Sequence, residues 1–214
     1  MKALLHSGLF NFITGATNGA YWIEECDKSE ADDVISKHHY SKKATKNSFL
    51  SLRVNGGKGY LQLGYGIRPV IKGDIHPLIK KGNYAEFDRM WLSDELPHNS
   101  ESQVISLLLK YLKAARPKIK FLITYADESA GNYGTIYKAT NAFKIGSIPC
   151  DFYILNDGER VHPVSMWHRH GTRAKSEMER IYPGIRHIKG EFKQFRFLYI
   201  LDKKLRREFV RAAS

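Results

Sequence analysis

The amino-acid sequence predicts a mixed α/β fold, in which helices flank a mostly antiparallel sheet with a splayed parallel pair of strands at its centre. Two observations support this prediction. Residues 84–146 have the pattern strand, loop, helix, strand, helix, strand, and such a crossover unit requires parallel pairing. Residues 48–67 have the pattern of an antiparallel hairpin and precede that unit. A hydrophobic content of 43% over 214 residues is sufficient to bury a core.

The elements before the crossover unit follow from local patterns. Ser29 is a suitable N-cap for a helix with acids in its first turn, and this helix is expected to end near residue 38. Residues 48–54 alternate apolar and polar side chains, as a half-buried strand does. Asn55-Gly56-Gly57 then predicts a tight turn to a strand at 59–67. Residues 1–20 give no clear prediction.

The crossover unit begins with a strand at residues 84–92. Strict alternation would place Phe87, Arg89 and Trp91 on one face of this strand. A helix from Ser102 to about residue 115 carries an apolar stripe at helical spacing. A strand at 119–127 and a helix at 134–141 complete the unit. A short helical piece at residues 75–81 is expected in the loop before it.

The rest of the chain is predicted to be a basic extension of a single domain. The domain covers residues 1–214, with a core at about 20–155 and the extension at about 156–214. We expect strands at 152–155 and 195–201, an irregular segment rich in histidine at 159–190, and a charged helix at 203–211. Residues 159–214 contain 14 lysines and arginines against 6 aspartates and glutamates.

Composition limits the class of partner. The net charge of +12 indicates a polyanionic partner, with nucleic acid favoured over an acidic membrane surface, although a basic chain can also simply be soluble. Two cysteines provide neither a disulfide framework nor a metal-ligand pair, which fits a reducing cytoplasm. No apolar run reaches the roughly 20 residues that span a bilayer. A homodimer is compatible with the sequence.

The start of the second predicted helix is a candidate phosphate site. The side chains of Asn99, Ser100 and Ser102 can cap this helix, and its free backbone N–H groups can bind phosphate oxygens. A plain capping motif is the alternative for such residues. The surrounding strand-loop-helix-strand order favours the phosphate of a nucleotide cofactor.

Two charged residues lie on the predicted parallel strands. Arg89 would be a fixed positive charge near a reacting group or a phosphate, or would pair with Asp88, Glu86 or Asp127. Asp127 ends a buried strand, at the edge where ligands bind in open α/β sheets, and could accept a proton. Its alternative role is an N-cap for the next turn. Tyr125 lies on the same side of that strand as Asp127.

This order of elements resembles the acetyl-CoA-dependent N-acyltransferase (GNAT) superfamily. The loop and helix after residue 92 stand where that superfamily binds the pyrophosphate of its cofactor. The segment with Tyr137, Asn141, Phe143 and Gly146 resembles the late Tyr-x-x-x-Gly-Phe segment. The resemblance implies acetyl-CoA or a related acyl-CoA as cofactor, held by Asn99, Ser100, Ser102, Tyr137 and Asn141, with Tyr137 as acid for the departing thiolate. The usual glycine-rich loop is absent, and Asn141-Ala142 replaces the usual glycine.

Several segments together resemble a narrower family, the Mom proteins of bacteriophages. These segments are His39-Tyr40-Ser41, residues 86–92, 97–102 and 124–127, and Gly134 to Asn141. The resemblance implies conversion of adenine N6 in duplex DNA to a methylcarbamoyl (acetamido) derivative, which protects phage DNA from host restriction. It also implies a functional pair at His39 and Tyr40, in a phage- or prophage-encoded chain of the host cytoplasm.

The function predicted is therefore an acyl-CoA-dependent enzyme that modifies DNA, with an ordinary N-acetyltransferase of a protein or small amine as the alternative. The predicted catalytic residues are His39, Tyr40, Arg89, Asp127 and Tyr137. The predicted DNA contacts are Tyr40, Tyr125, Arg160, Trp167, Arg169 and Arg173. The spacing of His162, His168 and His170 matches no common zinc site, so we predict no metal.

Overall fold

The computed structural model describes residues 3–8, 12–66 and 77–213, and two compact units divide the chain. The first unit contains residues 1–125, 134–145 and 197–214, and the second contains residues 126–133 and 146–196. Three of the four boundaries lie within strands, the fourth lies in the loop before residue 135, and none lies at residue 156; the single domain stays a prediction. No helix of the described part of the chain has the length and apolar character needed to cross a bilayer.

The first unit holds most of the sheet. Its strands are hydrogen-bonded in the order β1-β2-β3-β4-β5-β6-β7-β10, with the C-terminal part of β10. Every pair from β1 to β6 is antiparallel, and β6 and β7 are parallel. The strands are β1 (Ala3–His6), β2 (Ile13–Thr17), β3 (Trp22–Glu25), β4 (Ser48–Val54), β5 (Gly59–Gly64), β6 (Tyr84–Leu92), β7 (Phe121–Asp127) and β10 (Arg186–Ile200).

In the described part of the first unit there are four helices: α1 (Lys28–His38), α2 (Ser100–Ala115), α3 (Thr135–Ala139) and α6 (Lys203–Ala213). The predicted stripe of α2 is confirmed at Val104, Ile105, Leu108 and Leu112, which are all fully buried. Leu109, also predicted in the stripe, is only half-buried, and Leu107 is buried instead. On α1, Ala31 and Ile35 pack with Tyr60 of β5. Burying such apolar side chains stabilises the unit by roughly 1.5–3 kcal/mol for each large residue.

The second unit is built around β8 (Phe143–Ile154), β10 and the two-residue β9 (Arg160–Val161), in the order β10-β8-β9. It also contains a 3-10 turn (Glu128–Ala130) and the helices α4 (Pro163–His170) and α5 (Lys175–Ile181). Its small core joins Tyr153 and Val161 to Met166 of α4, Met178 of α5 and Ile185.

Several local predictions were wrong. Residues 159–190 are not irregular, because Met166 and Met178 are single apolar anchors on α4 and α5, too few to give a visible helical period. β8 and β10 are also longer than predicted, since most residues of their N-terminal halves are exposed, and the inward-facing Ile188 and Phe192 of β10 are separated by Gly190. The described part of the predicted helical piece, residues 77–81, contains turns, and residues 75 and 76 lie outside the described residues. The N-cap of α1 is Asp27 rather than Ser29.

The predicted faces of β6 were also wrong, because this strand contains a bulge. Gln62 of β5 pairs with Arg89, but the next residue, Leu63, pairs with Phe87, so Asp88 is an extra residue. Adjacent residues of β5 point to opposite faces, and therefore Phe87 and Arg89 do so as well.

Candidate active site

The centre of the first unit is a fork between β6 and β7. The parallel pairing runs from Tyr84 with Phe121 to Phe87 with Thr124, and it continues no further. The hydroxyl of Thr124 donates a hydrogen bond of 3.1 Å to the carbonyl of Phe87. Because the bulge at Asp88 follows directly, β6 stays with β5 while β7 separates from it. The predicted splayed centre is thus confirmed.

Tyr137 of α3 lies beside the fork. Only 7% of this residue is exposed, and its ring contacts that of Phe197 at 5.3 Å between centroids. Burial is the main cause that raises the pKa of Tyr137, and the phenol of Tyr40 raises this pKa further. A hydrogen bond with Thr124 lowers it, but the net shift is upward. The hydroxyl is therefore protonated at neutral pH and can donate a proton or a hydrogen bond.

The position of Tyr137 depends on the turn that begins α3. Gly134 is the N-cap of this helix and has φ of +73°. A Cβ at Gly134 would lie 2.2 Å from the ring of Phe197, so no other residue fits there without a shift. At the other end, Asn141 has φ of +65°, and asparagine tolerates this left-handed conformation better than most residues. This explains how Asn141 replaces the glycine usual in the superfamily.

Arg89 lies two residues beyond the fork on β6. Its guanidinium donates to the carbonyl of Lys43 at 3.0 Å and to that of Asp88 at 2.7 Å. Within the described ranges, no carboxylate forms an ion pair with it, so the predicted pairing with Asp88, Glu86 or Asp127 is not observed. Main-chain carbonyls thus fix the position of this charge without neutralising it.

His39 and Tyr40 follow α1 in the same unit. His39 is 6% exposed, and burial together with the positive charge of Arg89 lowers its pKa to about 4. Its Nδ1 accepts the backbone N–H of Ser41 at 3.1 Å, which assigns the proton of the neutral ring to Nε2. Tyr40 is 58% exposed and its ring lies 4.2 Å from that of His39. The pair therefore offers a neutral N–H donor and an exposed aromatic ring.

The start of α2 differs from the predicted capping motif. Asn99 is the N-cap in a left-handed conformation, and its side chain makes no capping bond. Ser100 is 2% exposed, and its hydroxyl bonds with the Tyr21 hydroxyl and the carbonyl of Pro97. The Ser102 hydroxyl donates to the Asn99 carbonyl at 2.9 Å.

The backbone at this helix start retains two donors. The N–H of Ser100 bonds the carbonyl of Pro97, and that of Gln103 bonds the carbonyl of Asn99. The N–H groups of Glu101 and Ser102 have no acceptor in the part of the chain that the structure describes. These two N–H groups are therefore available to donate to an anion, whereas the Ser100 hydroxyl is buried and already bonded.

Asp127 lies in the second unit and caps the 3-10 turn, as the alternative prediction stated. One carboxylate oxygen accepts the N–H and the hydroxyl of Ser129, and the other pairs with Arg160 at 3.2 Å. The thiol of Cys150 also contacts it at 3.6 Å. Arg160 in turn lies 4.0 Å above the ring of Phe152. Asp127 and Arg160 therefore both contribute to the internal structure of this unit.

The other residues predicted to contact DNA are divided between the units. In the first unit, Tyr125 packs against the central apolar cluster and donates a long bond of 3.5 Å to Glu86. In the second unit, Trp167 of α4 is 54% exposed, and Arg169 forms two bonds with the carboxylate of Glu159. Arg173 is exposed. In the described segments, no group of three histidines, cysteines or carboxylates could hold a metal ion.

Comparison with known proteins assigns the family. The model of the Mom protein family matches residues 20–213. The chain belongs to the Mom protein family. The methylcarbamoylase Mom of Escherichia phage Mu is 34% identical to this Mom family member over 185 residues, which are 83% of this chain and 74% of the relative.

Two solved structures share the fold of this Mom family member. The ribosomal-protein-S5-alanine acetyltransferase of Vibrio fischeri has a TM-score of 0.51 and 8% identity, covering 89% of this chain and 98% of its own. Arabidopsis thaliana NAA60, in complex with a bisubstrate analogue, has a TM-score of 0.50 and 9% identity. The match covers 85% of this chain and 99% of the NAA60 chain. The predicted GNAT-like fold is thus confirmed.

The Mom family chain brings together four of the five residues predicted to be catalytic. His39, Tyr40, Arg89 and Tyr137 lie in the first unit, where electrostatic interactions link His39 to Arg89 and Tyr40 to Tyr137. Thr124 was missed because its position inside a buried strand gave no polar signal. Only its alignment with Phe87 at the end of the parallel pairing reveals it.

Proposed function

We propose that this Mom family chain is a DNA-modifying transferase that converts adenine N6 in duplex DNA to a methylcarbamoyl derivative with an acyl-CoA donor. The observation that supports this proposal most directly is the fork of the first unit, with the buried, protonated Tyr137 on α3 and the exposed Tyr40 within electrostatic range of it. Family membership provides the substrate class, since the phage Mu relative is a methylcarbamoylase.

Tyr137 is the proposed general acid. Acyl transfer breaks a carbon–sulfur bond, and the departing thiolate needs a proton. The hydroxyl of Tyr137 can supply it, because burial keeps the phenol protonated and Thr124 orients it. The N–H groups of Glu101 and Ser102 would bind the pyrophosphate of the acyl-CoA at the positive end of α2. A methylcarbamoyl group contains a further nitrogen, and the step that adds it is assigned to no residue here.

The target adenine must leave the DNA stack, because its N6 cannot be reached by enzyme groups inside a duplex. Tyr40, with 58% of its surface exposed next to His39, is the proposed stacking platform for the extruded base. Trp167 is a second exposed ring, and Arg173 an exposed cation, for contacts with the DNA. The proposed setting is the cytoplasm of a bacterial host, where the modification would protect phage DNA from restriction.

The first test is nucleoside mass spectrometry of DNA from cells that express the chain. Wild type should give a mass-shifted deoxyadenosine, and Tyr137→Phe should lower its yield by roughly 100-fold or more, the usual contribution of general acid catalysis. Tyr111→Phe is the matched control. Tyr111 is also a fully buried tyrosine of the first unit, and its hydroxyl donates to Glu25 of β3, so its replacement removes a side-chain bond that is made to β3 rather than at the fork.

Unmodified deoxyadenosine from folded wild-type protein would contradict the proposal. Acetylation of a protein or small amine in the same cells would then favour the ordinary N-acetyltransferase. Equal loss of modification in both tyrosine variants would contradict the assignment of Tyr137.

A further inference from the structure

A second basic stretch of the sequence lies far from the C-terminal extension. Residues 34–73 contain eight lysines and arginines and no aspartate or glutamate. This excess of eight equals that of residues 159–214, with 14 cations against 6 acids, and it occurs within a shorter length. Positive charge is therefore more concentrated in this segment than in the C-terminal extension.

Four of these eight cations are exposed at one place in the first unit. Arg53 pairs with Glu24 at 2.8 Å, and Lys58 pairs with Glu95 at 3.1 Å. Arg68 and Lys72 lie outside the described residues. The remaining four are exposed on the last turn of α1 and in the loop that leads to β4, and we call this group the lysine loop: Lys37, Lys42, Lys43 and Lys46.

The lysine loop is held in place by polar contacts to its backbone. The Nζ of Lys42 donates to the carbonyl of Lys37 at 2.6 Å. The carbonyl of Lys43 accepts bonds from the guanidinium of Arg89 at 3.0 Å and from the hydroxyl of Ser41 at 3.3 Å. The N–H of Thr45 donates to Gln62 of β5 at 3.2 Å. Anchoring of this kind reduces the entropy that is lost when a charged loop binds a partner.

The predicted DNA-binding arginines of the second unit have a different environment. Arg160 pairs with Asp127, and Arg169 forms two bonds with Glu159. Such pairs must be broken or shared before these guanidinium groups can neutralise a phosphate. By contrast, Lys46 has no acid partner within the described ranges, and Lys37 and Lys42 have none there either.

We propose that the lysine loop binds the backbone phosphates of duplex DNA next to the target adenine. This inference rests on the proposed function. The loop begins beside Tyr40, the exposed ring proposed to stack on the extruded base. Phosphate contacts fix the register of a protein on DNA, and lysine ammonium groups bind phosphates as point charges. Arg89 is a positioning residue here, since its bond to the carbonyl of Lys43 joins the loop to β6.

The test compares the salt dependence of DNA binding between two triple variants of the full chain. Lys37→Gln/Lys42→Gln/Lys46→Gln removes three charges from the loop. Lys80→Gln/Lys81→Gln/Lys118→Gln removes three charges from equally exposed lysines elsewhere in the first unit. Fluorescence anisotropy of a labelled duplex between about 50 and 200 mM salt gives the slope of log affinity against log salt concentration.

Three lost phosphate contacts should reduce the magnitude of this slope by about 2 to 3 in the loop variant. Over that salt range, wild type should then lose roughly 40-fold more affinity than the loop variant does. The control variant should keep the wild-type slope, and Lys37→Arg/Lys42→Arg/Lys46→Arg should do the same. An unchanged slope in the loop variant, or an equal change in the control, would overturn the inference.

A second measurement distinguishes binding of DNA phosphates from binding of the phosphates of coenzyme A. Calorimetric titration with coenzyme A, without DNA, should give the same affinity for wild type and the loop variant. Weaker binding of coenzyme A with an unchanged DNA slope would assign the lysines to the cofactor and refute the inference. If wild type modifies adenine while the loop variant keeps its slope, the inference fails and the proposed function stands. If wild type leaves adenine unmodified, the proposed function fails whatever the slopes.

Discussion

At the scale of single residues, His39 has an unusual environment. Its ring is almost fully buried, Ser41 fixes its tautomer, and Arg89 provides a positive charge that opposes protonation. A histidine with a pKa of about 4 remains neutral at physiological pH. His39 therefore suits the role of a hydrogen-bond donor through Nε2 better than that of a proton acceptor.

The lowered pKa of His39 makes the stability of the chain depend on pH. The unfolded chain binds a proton at His39 below about pH 6.5, whereas the folded chain binds it only below about pH 4. The contribution of His39 to the free energy of unfolding is thus fully present above pH 6.5 and is lost as the pH falls towards 4. This loss amounts to about 3 kcal/mol. Urea unfolding of wild type and His39→Asn at pH 7 and pH 4 measures the difference, since the asparagine oxygen can still accept the Ser41 N–H.

The exposed neighbour His38 supplies the control for this experiment. His38→Asn should lose as much stability as wild type does over the same pH interval. A His39→Asn protein with the full wild-type loss would show that another group causes the pH dependence.

At the scale of elements, the start of α2 combines two demands on one helix terminus. Its positive end favours negative charge, and its two available N–H groups are the proposed phosphate donors. A carboxylate placed there should repel an anionic ligand. Cofactor affinity should therefore fall although the helix remains folded.

The substitution Ser102→Asp tests this expectation. An aspartate cannot donate the bond that the Ser102 hydroxyl makes to the Asn99 carbonyl, and this loss of about 0.5–1.5 kcal/mol offsets the gain of about 0.3–1 kcal/mol from the helix dipole, so stability should change by about 1 kcal/mol or less. The substitution should weaken coenzyme A binding by about 5-fold or more, as calorimetry would measure. Ser106→Asp, one turn later, should change coenzyme A affinity much less, because the effect of the dipole falls off within the first turn. Unchanged affinity in Ser102→Asp would place the diphosphate elsewhere.

The crossover unit was predictable from sequence, because each of its elements carries a strong local pattern. The apolar stripe of α2 and the glycine turn before β5 are visible without a structure. The N-terminal halves of β8 and β10 were not, since few of their residues are buried and these few do not alternate regularly along the sequence. Sheet pairing between distant strands leaves no periodic signal at such exposed positions.

The candidate site was predictable only as a set of residue types. The family pattern selected His39, Tyr40, Arg89 and Tyr137, but side-chain environment decides what each can do. Sequence alone could not show that Arg89 bonds two main-chain carbonyls or that Asp127 is occupied by Ser129 and Arg160. Two of those contacts, Arg89 with Lys43 and Asp127 with Arg160, join residues that are 46 and 33 positions apart, and no local pattern reports such a distant partner.

At the scale of the whole molecule, each of the two cysteines can serve as a probe for the unfolding of one unit. Cys26 belongs to the first unit and Cys150 to the second. Burial is the main cause that raises the pKa of Cys26 to about 12 and that of Cys150 to about 11. At pH 8, roughly a thousandth or less of either thiol is then reactive thiolate in the folded chain.

Pulse alkylation along a urea gradient can therefore test the predicted single domain. Both thiols should become reactive at the same urea concentration, because β8 and β10 contribute residues to both units and neither unit can lose these strands alone. Peptide mass spectrometry after iodoacetamide pulses gives a separate midpoint for each cysteine. Two different midpoints would show two independently unfolding domains.

The bulge in β6 has a consequence for how this chain tolerates insertions and deletions. Without Asp88, Phe87 and Arg89 would be consecutive residues of a regular strand, still opposite Leu63 and Gln62 and still on opposite faces. Arg89 would then remain on the face from which it donates to the carbonyl of Lys43. Loss of a paired residue such as Met90 would instead turn the later side chains of β6 to the other face, so this strand should tolerate a shortening at position 88 better than at its neighbours.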